Sequence, residues 1–229
     1  MTIRKATTDD ILAIREWLKE TQSGFLNNWN LIEKGQTEGE VTVLLDGAVP
    51  IAYCLSSQST LDIFEVKKSR RLGGTGRQLV HHILAEARGS GSWGITGFCH
   101  PEESLPFWLK VGFQRVAEPN QEYQVAYPFR HKHEIPKDLV TCQLDFTLHS
   151  YPNDAPYAAK SISAAIENDG TYSLAEDFLE YAASGNMRLT VSRNGEPLYD
   201  GKCKYIEEVG GEIRYPWVRV RYLEPVVDT

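Results

Sequence analysis

The stretch that decides the fold is VKKSRRLGGTGRQL, residues Val66–Leu79. An apolar run typical of a strand leads into this stretch. From its last residue onward, apolar residues recur at helical spacing: Leu79, Val80, Ile83, Leu84 and Ala87. A strand, a glycine-rich loop and a helix N-terminus in this order indicate an anion site, because free backbone N–H groups converge there and the helix dipole adds positive potential. The cations of the stretch favour a polyphosphate ligand: Lys67, Lys68, Arg70, Arg71 and Arg77.

Two well-known phosphate-binding motifs do not fit this stretch. A P-loop ends in Gly-Lys-Ser/Thr, whereas Gly76 is followed by Arg-Gln. A dinucleotide-binding fingerprint needs a third glycine where Leu79 stands, and an acidic residue about twenty positions further on. The pattern that remains is Arg71-x-x-Gly74-x-Gly76, directly after a strand.

This pattern resembles the coenzyme A pyrophosphate loop of the GNAT acyltransferase superfamily, which carries Gln/Arg-x-x-Gly-x-Gly/Ala after a strand. A second GNAT motif, Phe-Tyr-x-x-x-Gly-Phe, is similar to Phe107-Trp108-x-x-x-Gly112-Phe113. The resemblance covers residues 1–130 and implies an α+β fold. In that fold, three α/β/α layers surround a mixed, mostly antiparallel sheet.

The resemblance also implies a site for acetyl-CoA as co-substrate, with no metal. The strand before the loop splays away from its neighbour in this family, and the pantetheine arm lies in the gap. The residues assigned to the cofactor are these: Phe64, Glu65, Val66, Arg71, Leu72, Gly73, Gly74, Thr75, Gly76, Arg77 and Trp108. The implied reaction is direct attack of an acceptor amine on the thioester, so the chain is predicted to be an N-acetyltransferase.

The usual acid–base residues of the family are replaced in this chain. Trp108 stands where many members carry the tyrosine that protonates the leaving thiolate, and Pro101 stands where an asparagine often precedes it. Thr60 and Thr96 occupy two positions where members carry a glutamate. Catalysis needs these groups to deprotonate the amine and protonate the thiolate. The alternative function is therefore a catalytically degenerate acyl-CoA-binding or regulatory module, whose C-terminal domain binds a partner.

The remaining catalytic candidates are Asp62, His100 and Ser104. Strict strand alternation puts Asp62 on the same face as Thr60, where it could take a proton through water. The same alternation puts Glu65 on the opposite face, which makes it a weaker candidate. His100 follows a strand near the expected cleft, and Ser104 could protonate or orient. Each also has an ordinary structural interpretation, such as a surface carboxylate or a hydrogen-bonded loop histidine.

The rest of the chain resembles no family that we recognise. Residues 131–138 are polar, contain proline and lack periodicity, so they are predicted to be a linker. Residues 139–229 are predicted to form a small α+β domain. Helices are predicted at Tyr157–Glu167, from the i, i+4 spacing of its apolar residues, and at 173–183, from a capping-box pattern. The region is acidic, with eleven Lys or Arg against sixteen Asp or Glu from residue 129 onward.

Composition bounds the environment of the protein. With 229 residues, 41% of them hydrophobic and 24% charged, the chain is typical of a soluble globular protein. A net charge of -7 disfavours nucleic acid as a partner and mildly favours a cationic acceptor. No apolar run approaches the roughly 20 residues of a membrane span, and the N-terminus lacks a signal-peptide core, so we expect a cytoplasmic location and no membrane partner.

The four cysteines are far apart and form no Cys-x-x-Cys pair, so we expect neither a metal site nor a disulfide framework. The expected partner is an amine acceptor, either a small molecule or a protein. The C-terminal domain is expected to cover the acceptor cleft, or to form a homodimer or hetero-partner surface.

Overall fold

The computed structural model describes residues 1–116, 124–150, 156–182 and 184–224. The chain divides into two compact units. Of the described residues, the first comprises 1–115 and 124–127, and the second comprises Val116 and those from residue 128 onward. Among the described residues, no helix has both the length and the apolar character needed to cross a membrane.

The first unit contains a seven-stranded mixed sheet. Its strands are β1 (Thr2–Lys5), β2 (Val41–Asp46), β3 (Val49–Ser56), β4 (Thr60–Val66), β5 (Gly94–Phe98), β6 (Gln114–Arg115) and β7 (Gln124–Pro128). They lie in the order β1-β2-β3-β4-β5-β7-β6. β4 runs parallel to β5, whereas the pairs formed by β1, β2, β3 and β4 in succession, and by β6 with β7, are antiparallel. The mixed, mostly antiparallel sheet predicted for this segment is therefore present.

Helices cover both faces of this sheet. α1 (Thr8–Glu20) and α2 (Trp29–Thr37) pack on one face, against alternate residues of β2 that include Val43. The intervening residues Thr42 and Leu44 are equally buried, on the other face, where α3 (Thr75–Gly89) contacts β2 and β3. Since both faces are covered, the first unit has the predicted α/β/α layering. A short fourth helix, α4 (Leu105–Lys110), follows β5.

The parallel pairing of β4 with β5 stops early. Only the start of β4 is paired, with Thr60 opposite Thr96 and Leu61 opposite Gly97. Beyond Leu61 the two strands part, so the second half of β4 keeps one backbone edge for another partner. This is the gap that the resemblance implies.

A β-bulge in β4 overturns one expectation about its faces. Ile63 pairs with Leu55, but Leu61 pairs with the next residue, Ser56, so Asp62 is an extra residue in the strand. One inserted residue reverses the alternation of side chains beyond it. The prediction that Glu65 lies on the face opposite Thr60 is therefore wrong. Glu65 pairs with Tyr53 and lies on the face that α1 and α2 cover.

The second unit is built on an antiparallel seven-stranded sheet. Its strands are β8 (Val140–His149), β9 (Ala158–Ile166), β10 (Tyr172–Tyr181), β11 (Arg188–Arg193), β12 (Glu196–Lys202), β13 (Glu212–Arg214) and β14 (Trp217–Leu223). Their order is β12-β11-β8-β9-β10-β14-β13. Phe146 and Phe178 stack at 4.6 Å between ring centroids in the core of this unit.

The α+β character predicted for residues 139–229 is wrong. Both segments predicted as helices are strands, β9 and β10, and the helical structure among the described residues of this unit is one 3-10 segment, Cys203–Val209. The error has a simple cause, because an i, i+4 spacing is even and also puts side chains on one face of a strand. In β9, Ile162 and Ala164 are buried in this way, and the strand pairs with β8 along its whole length.

Residues 131–138, predicted to be a linker, belong to the second unit, and part of this segment is hydrogen-bonded to β10. The Asp177 N–H donates to the His131 carbonyl, and the His133 N–H donates to the Ala175 carbonyl. His133 Nε2 also lies 2.7 Å from Oδ1 of Asp177, whose side chain is fully buried. A buried carboxylate needs polar partners, and His133, from the segment predicted to be a linker, supplies one of them.

Candidate functional site

The glycine loop ends in an uncapped helix N-terminus. Gly74 adopts the left-handed conformation (φ 84°) as the N-cap of α3, and within the described chain no side chain caps this end. The first helical bond runs from the Gln78 N–H to the Gly74 carbonyl, at 3.0 Å. The N–H groups of Thr75, Gly76 and Arg77 therefore have no partner inside the helix. Such N–H groups and the helix dipole favour an anion, so an anion site at this loop stays a prediction.

A side chain at Gly76 would be crowded by its neighbours. A Cβ atom there would lie 3.2 Å from the ring of Phe107 and 3.4 Å from a methyl group of Val66. A Cβ atom at Gly73 would meet only the Arg70 carbonyl oxygen, at 3.9 Å. The motif thus combines one glycine required by packing with one required by backbone conformation, at Gly74.

Two arginines of the loop hold the loop itself. The Arg71 Nε donates to the Val66 carbonyl at 3.0 Å, and one terminal nitrogen of its guanidinium lies 3.8 Å from Oε1 of Glu65. Arg70 forms an ion pair with Asp46 at 2.7 Å. Arg71, which the resemblance assigned to the cofactor, therefore also ties the end of β4 to the loop.

A cleft of about 730 Å³ lies beside this loop, and all its lining residues belong to the first unit. The lining residues are Ser23, Gly24, Phe25, Asn28, Phe64, Glu65, Val66, Arg71, Leu72, Gly76, His100, Pro101, Glu103, Ser104 and Phe107. The structure thus brings together eight of the predicted site residues: Phe64, Glu65, Val66, Arg71, Leu72, Gly76, His100 and Ser104. Predicted residues outside this lining are Asp62, Gly73, Gly74, Thr75, Arg77 and Trp108.

Trp108 is a core residue in this structure. Its side chain is 5% exposed and lies 5.1–5.2 Å, between ring centroids, from Phe64, Phe107 and Phe113. The aromatic side chain that α4 contributes to the cleft is Phe107. Trp108 therefore supports the wall of the cleft from behind.

The predicted catalytic residues occupy different environments. Asp62, in the bulge of β4, is exposed as a residue. Neighbouring atoms still remove some water from its carboxyl, which raises its pKa, while a hydrogen bond from Thr60 acts to lower it. His100 is exposed on the cleft wall. Ser104 lies beside the Cys99 thiol, and burial raises the pKa of that thiol to about 11. Cys99 is therefore a thiol rather than a nucleophilic thiolate at neutral pH.

Glu65 is the cleft residue that sequence reasoning undervalued. It is 9% exposed, lines the cleft, and accepts a hydrogen bond from Ser23 Oγ at 3.1 Å. Burial raises its pKa, and the Ser23 hydrogen bond and the charge of Arg71 lower it by less. The bulge that turns Glu65 towards Ser23 arises from strand pairing with β3, which the local sequence does not specify.

Comparison with known proteins gives structural matches alone, since no family model and no curated protein matches this chain. Ard1 from Thermoplasma volcanium is 17% identical, with a TM-score of 0.47, and the match covers 56% of this chain and 96% of that one. A GNAT-family acetyltransferase from Listeria monocytogenes is 17% identical (TM-score 0.46; 56% and 94% covered). The PaiA N-acetyltransferase of Thermoplasma acidophilum, solved with coenzyme A, is 14% identical (TM-score 0.46; 56% and 98% covered).

Proposed function

We propose that the first unit is an acyl-CoA-dependent N-acyltransferase that moves an acetyl group from acetyl-CoA to an amine. One observation carries the proposal. The free edge of β4 and the uncapped N-terminus of α3 meet at one cleft, which suits a ligand that joins an extended amide-bearing arm to a pyrophosphate. The absence of a Cβ atom at Gly76 keeps this junction open between Val66 and Phe107.

In this proposal the chain binds and orients, while acetyl-CoA supplies the activated thioester. The N–H groups of Thr75, Gly76 and Arg77 hold the pyrophosphate, and backbone groups of β4 near Phe64 and Val66 hold the arm. The cleft wall formed by Ser23, Phe25 and Asn28 receives the amine. Holding an amine and a thioester in line removes much of the entropic part of the barrier.

A thiol-release assay tests the proposal. The purified chain is given acetyl-CoA with a panel of amines that includes small primary amines and lysine-containing peptides. We expect free thiol in proportion to amine, and acetylated amine detected by mass. Thiol release that does not depend on amine, or acetyl-CoA that does not bind at all, would contradict the proposal.

The alternative function, an acyl-CoA-binding or regulatory module, is favoured by Trp108. A buried indole within an aromatic cluster has no useful acidity at neutral pH, so this position supplies no proton to a leaving thiolate. The same assay separates the two functions, because tight binding of acetyl-CoA without turnover on any amine is the result expected of a binding module.

A further inference from the structure

We infer that Glu65 is the general base that takes the proton of the acceptor amine, and that Ser23 positions it. The inference rests on the proposed function and assigns the step for which the sequence offered Asp62 and His100. As the nitrogen bonds to the acyl carbon, its proton passes to the Glu65 carboxylate. The carbon–sulfur bond breaks, the sulfur takes a proton from water, and Glu65 returns its proton to solvent.

The geometry around Glu65 leaves it capacity to accept a further hydrogen bond. Ser23 Oγ accepts from the Phe25 N–H at 3.3 Å and donates to Glu65 Oε2 at 3.1 Å. The nearest cation, Arg71, is 3.8 Å from Oε1, too far for a hydrogen bond. A buried carboxylate with one such donor is poorly compensated. Its remaining lone pairs suit an ammonium or amine donor in the cleft that Glu65 lines.

The titratable and charged groups around Glu65 influence the pKa of its carboxyl. Arg71 faces it from the loop and Tyr53 from β3, while His100 and Glu103 belong to the same cleft lining. Burial raises the pKa of Tyr53, so that phenol stays neutral. The pKa of Glu65 is raised chiefly by burial. A carboxylate with a raised pKa is a stronger base than an exposed one and is still ionised once the pH exceeds that pKa.

The rival carboxylate, Asp62, lacks this setting. It is exposed in the bulge of β4 and is not one of the residues that line the cleft. His100 lines the cleft but is exposed, on the loop after β5. Glu65 is therefore the cleft carboxylate that combines burial, a fixed orientation and access to a ligand.

The test compares Glu65→Gln with Asp62→Asn and with a matched surface change, Glu33→Gln, in the full chain. For an amine acetylated by the wild type, we expect Glu65→Gln to lose about 100-fold in kcat/KM and to lose the acid limb of its pH profile. Acetyl-CoA affinity, measured separately, should fall by much less than kcat/KM, because a role in cofactor binding alone would lower the two together. Ser23→Ala should move the acid limb upward by roughly one pH unit, because a hydrogen bond to the charged form is lost.

Two controls separate the possible outcomes. Acceptors with different amine pKa values show whether the acid limb of the pH profile reports an enzyme group. If the amine sets the limb, its midpoint shifts with the pKa of the amine. Carbon-13 NMR of the ligand-free chain follows the Glu65 carboxyl directly, and its midpoint should lie above the ordinary value for a glutamate and rise in Ser23→Ala. A limb retained in Glu65→Gln, or lost in Asp62→Asn, overturns the inference and leaves the proposed function standing. No turnover by the wild type overturns both.

Discussion

At the scale of single residues, the glycines of the loop have separate roles that substitution can tell apart. Gly76→Ala places a methyl group 3.2 Å from Phe107, and we expect a net destabilisation of about 1–3 kcal/mol from overpacking. Gly73→Ala is the matched control, since its methyl group makes only an ordinary contact, with the Arg70 carbonyl oxygen at 3.9 Å. Thermal unfolding measures both. Equal midpoints for the two variants would show that Phe107 does not restrict the loop.

The cysteines give a second prediction at this scale. Burial raises the pKa to about 12 for Cys54 and Cys203 and to about 11 for Cys99, so at pH 8 less than about one in a hundred of these thiols is ionised. Cys142 is only partly buried. A disulfide reagent should therefore label one fast thiol in the native chain, and Cys142→Ser should remove it. Two fast thiols would contradict the burial of the others.

At the scale of elements, α1 begins with a capping box formed by Thr7 and Asp10. Thr7 Oγ1 accepts from the Asp10 N–H, and the Thr7 N–H donates to the Asp10 carboxylate. We expect Thr7→Ala to cost about 1 kcal/mol, and Thr8→Ala, an exposed first-turn residue, to cost less. Burial acts to raise the pKa of Asp10, but hydrogen bonds from Arg4 and Thr7 outweigh it and leave the pKa lowered.

That lowered pKa fixes how the capping box responds to acid. The stabilisation by Asp10 is fully present above about pH 4, its unfolded pKa, and is lost as the pH falls through the folded pKa. Denaturant titrations at pH 7 and at pH 3 measure this change. The difference between wild type and Thr7→Ala should shrink at pH 3, and a constant difference would contradict the assignment.

Elements also show how far the sequence could predict this molecule. The motifs at Gly74–Gly76 and Phe107–Phe113 predicted the strand, loop and helix of the first unit, because local chemistry fixes them. Pairing with β3 creates the bulge at Asp62, so the short stretch of sequence around Glu65 does not predict which face of the sheet its side chain lies on. In β9, even spacing fits a helix and a strand equally well, and long-range pairing with β8 decides between them.

At the scale of the whole molecule, every described residue that lines the cleft belongs to the first unit, and we expect damage to the second core to leave ligand binding intact. Phe178→Ala removes the stacking partner of Phe146 and should destabilise the second unit by about 3–5 kcal/mol. Isothermal titration below the unfolding temperature should then give an unchanged affinity for acetyl-CoA. A tenfold loss would show that the second unit contributes to the site.

The central claim, that the loop before α3 holds the pyrophosphate of coenzyme A, is tested most directly at Gly74. Asp and Asn both tolerate a left-handed backbone, and a Cβ atom at this position meets nothing within 4 Å. An aspartate at a helix N-terminus also does not destabilise the helix, so lost binding cannot be blamed on unfolding.

The measurement is the calorimetric affinity for coenzyme A of Gly74→Asp against Gly74→Asn, in the full chain at low salt. We expect Gly74→Asn to bind within about tenfold of wild type. Gly74→Asp should bind at least another tenfold more weakly, because its carboxylate faces the pyrophosphate. Equal affinities for the two variants would contradict the claim and place the ligand elsewhere.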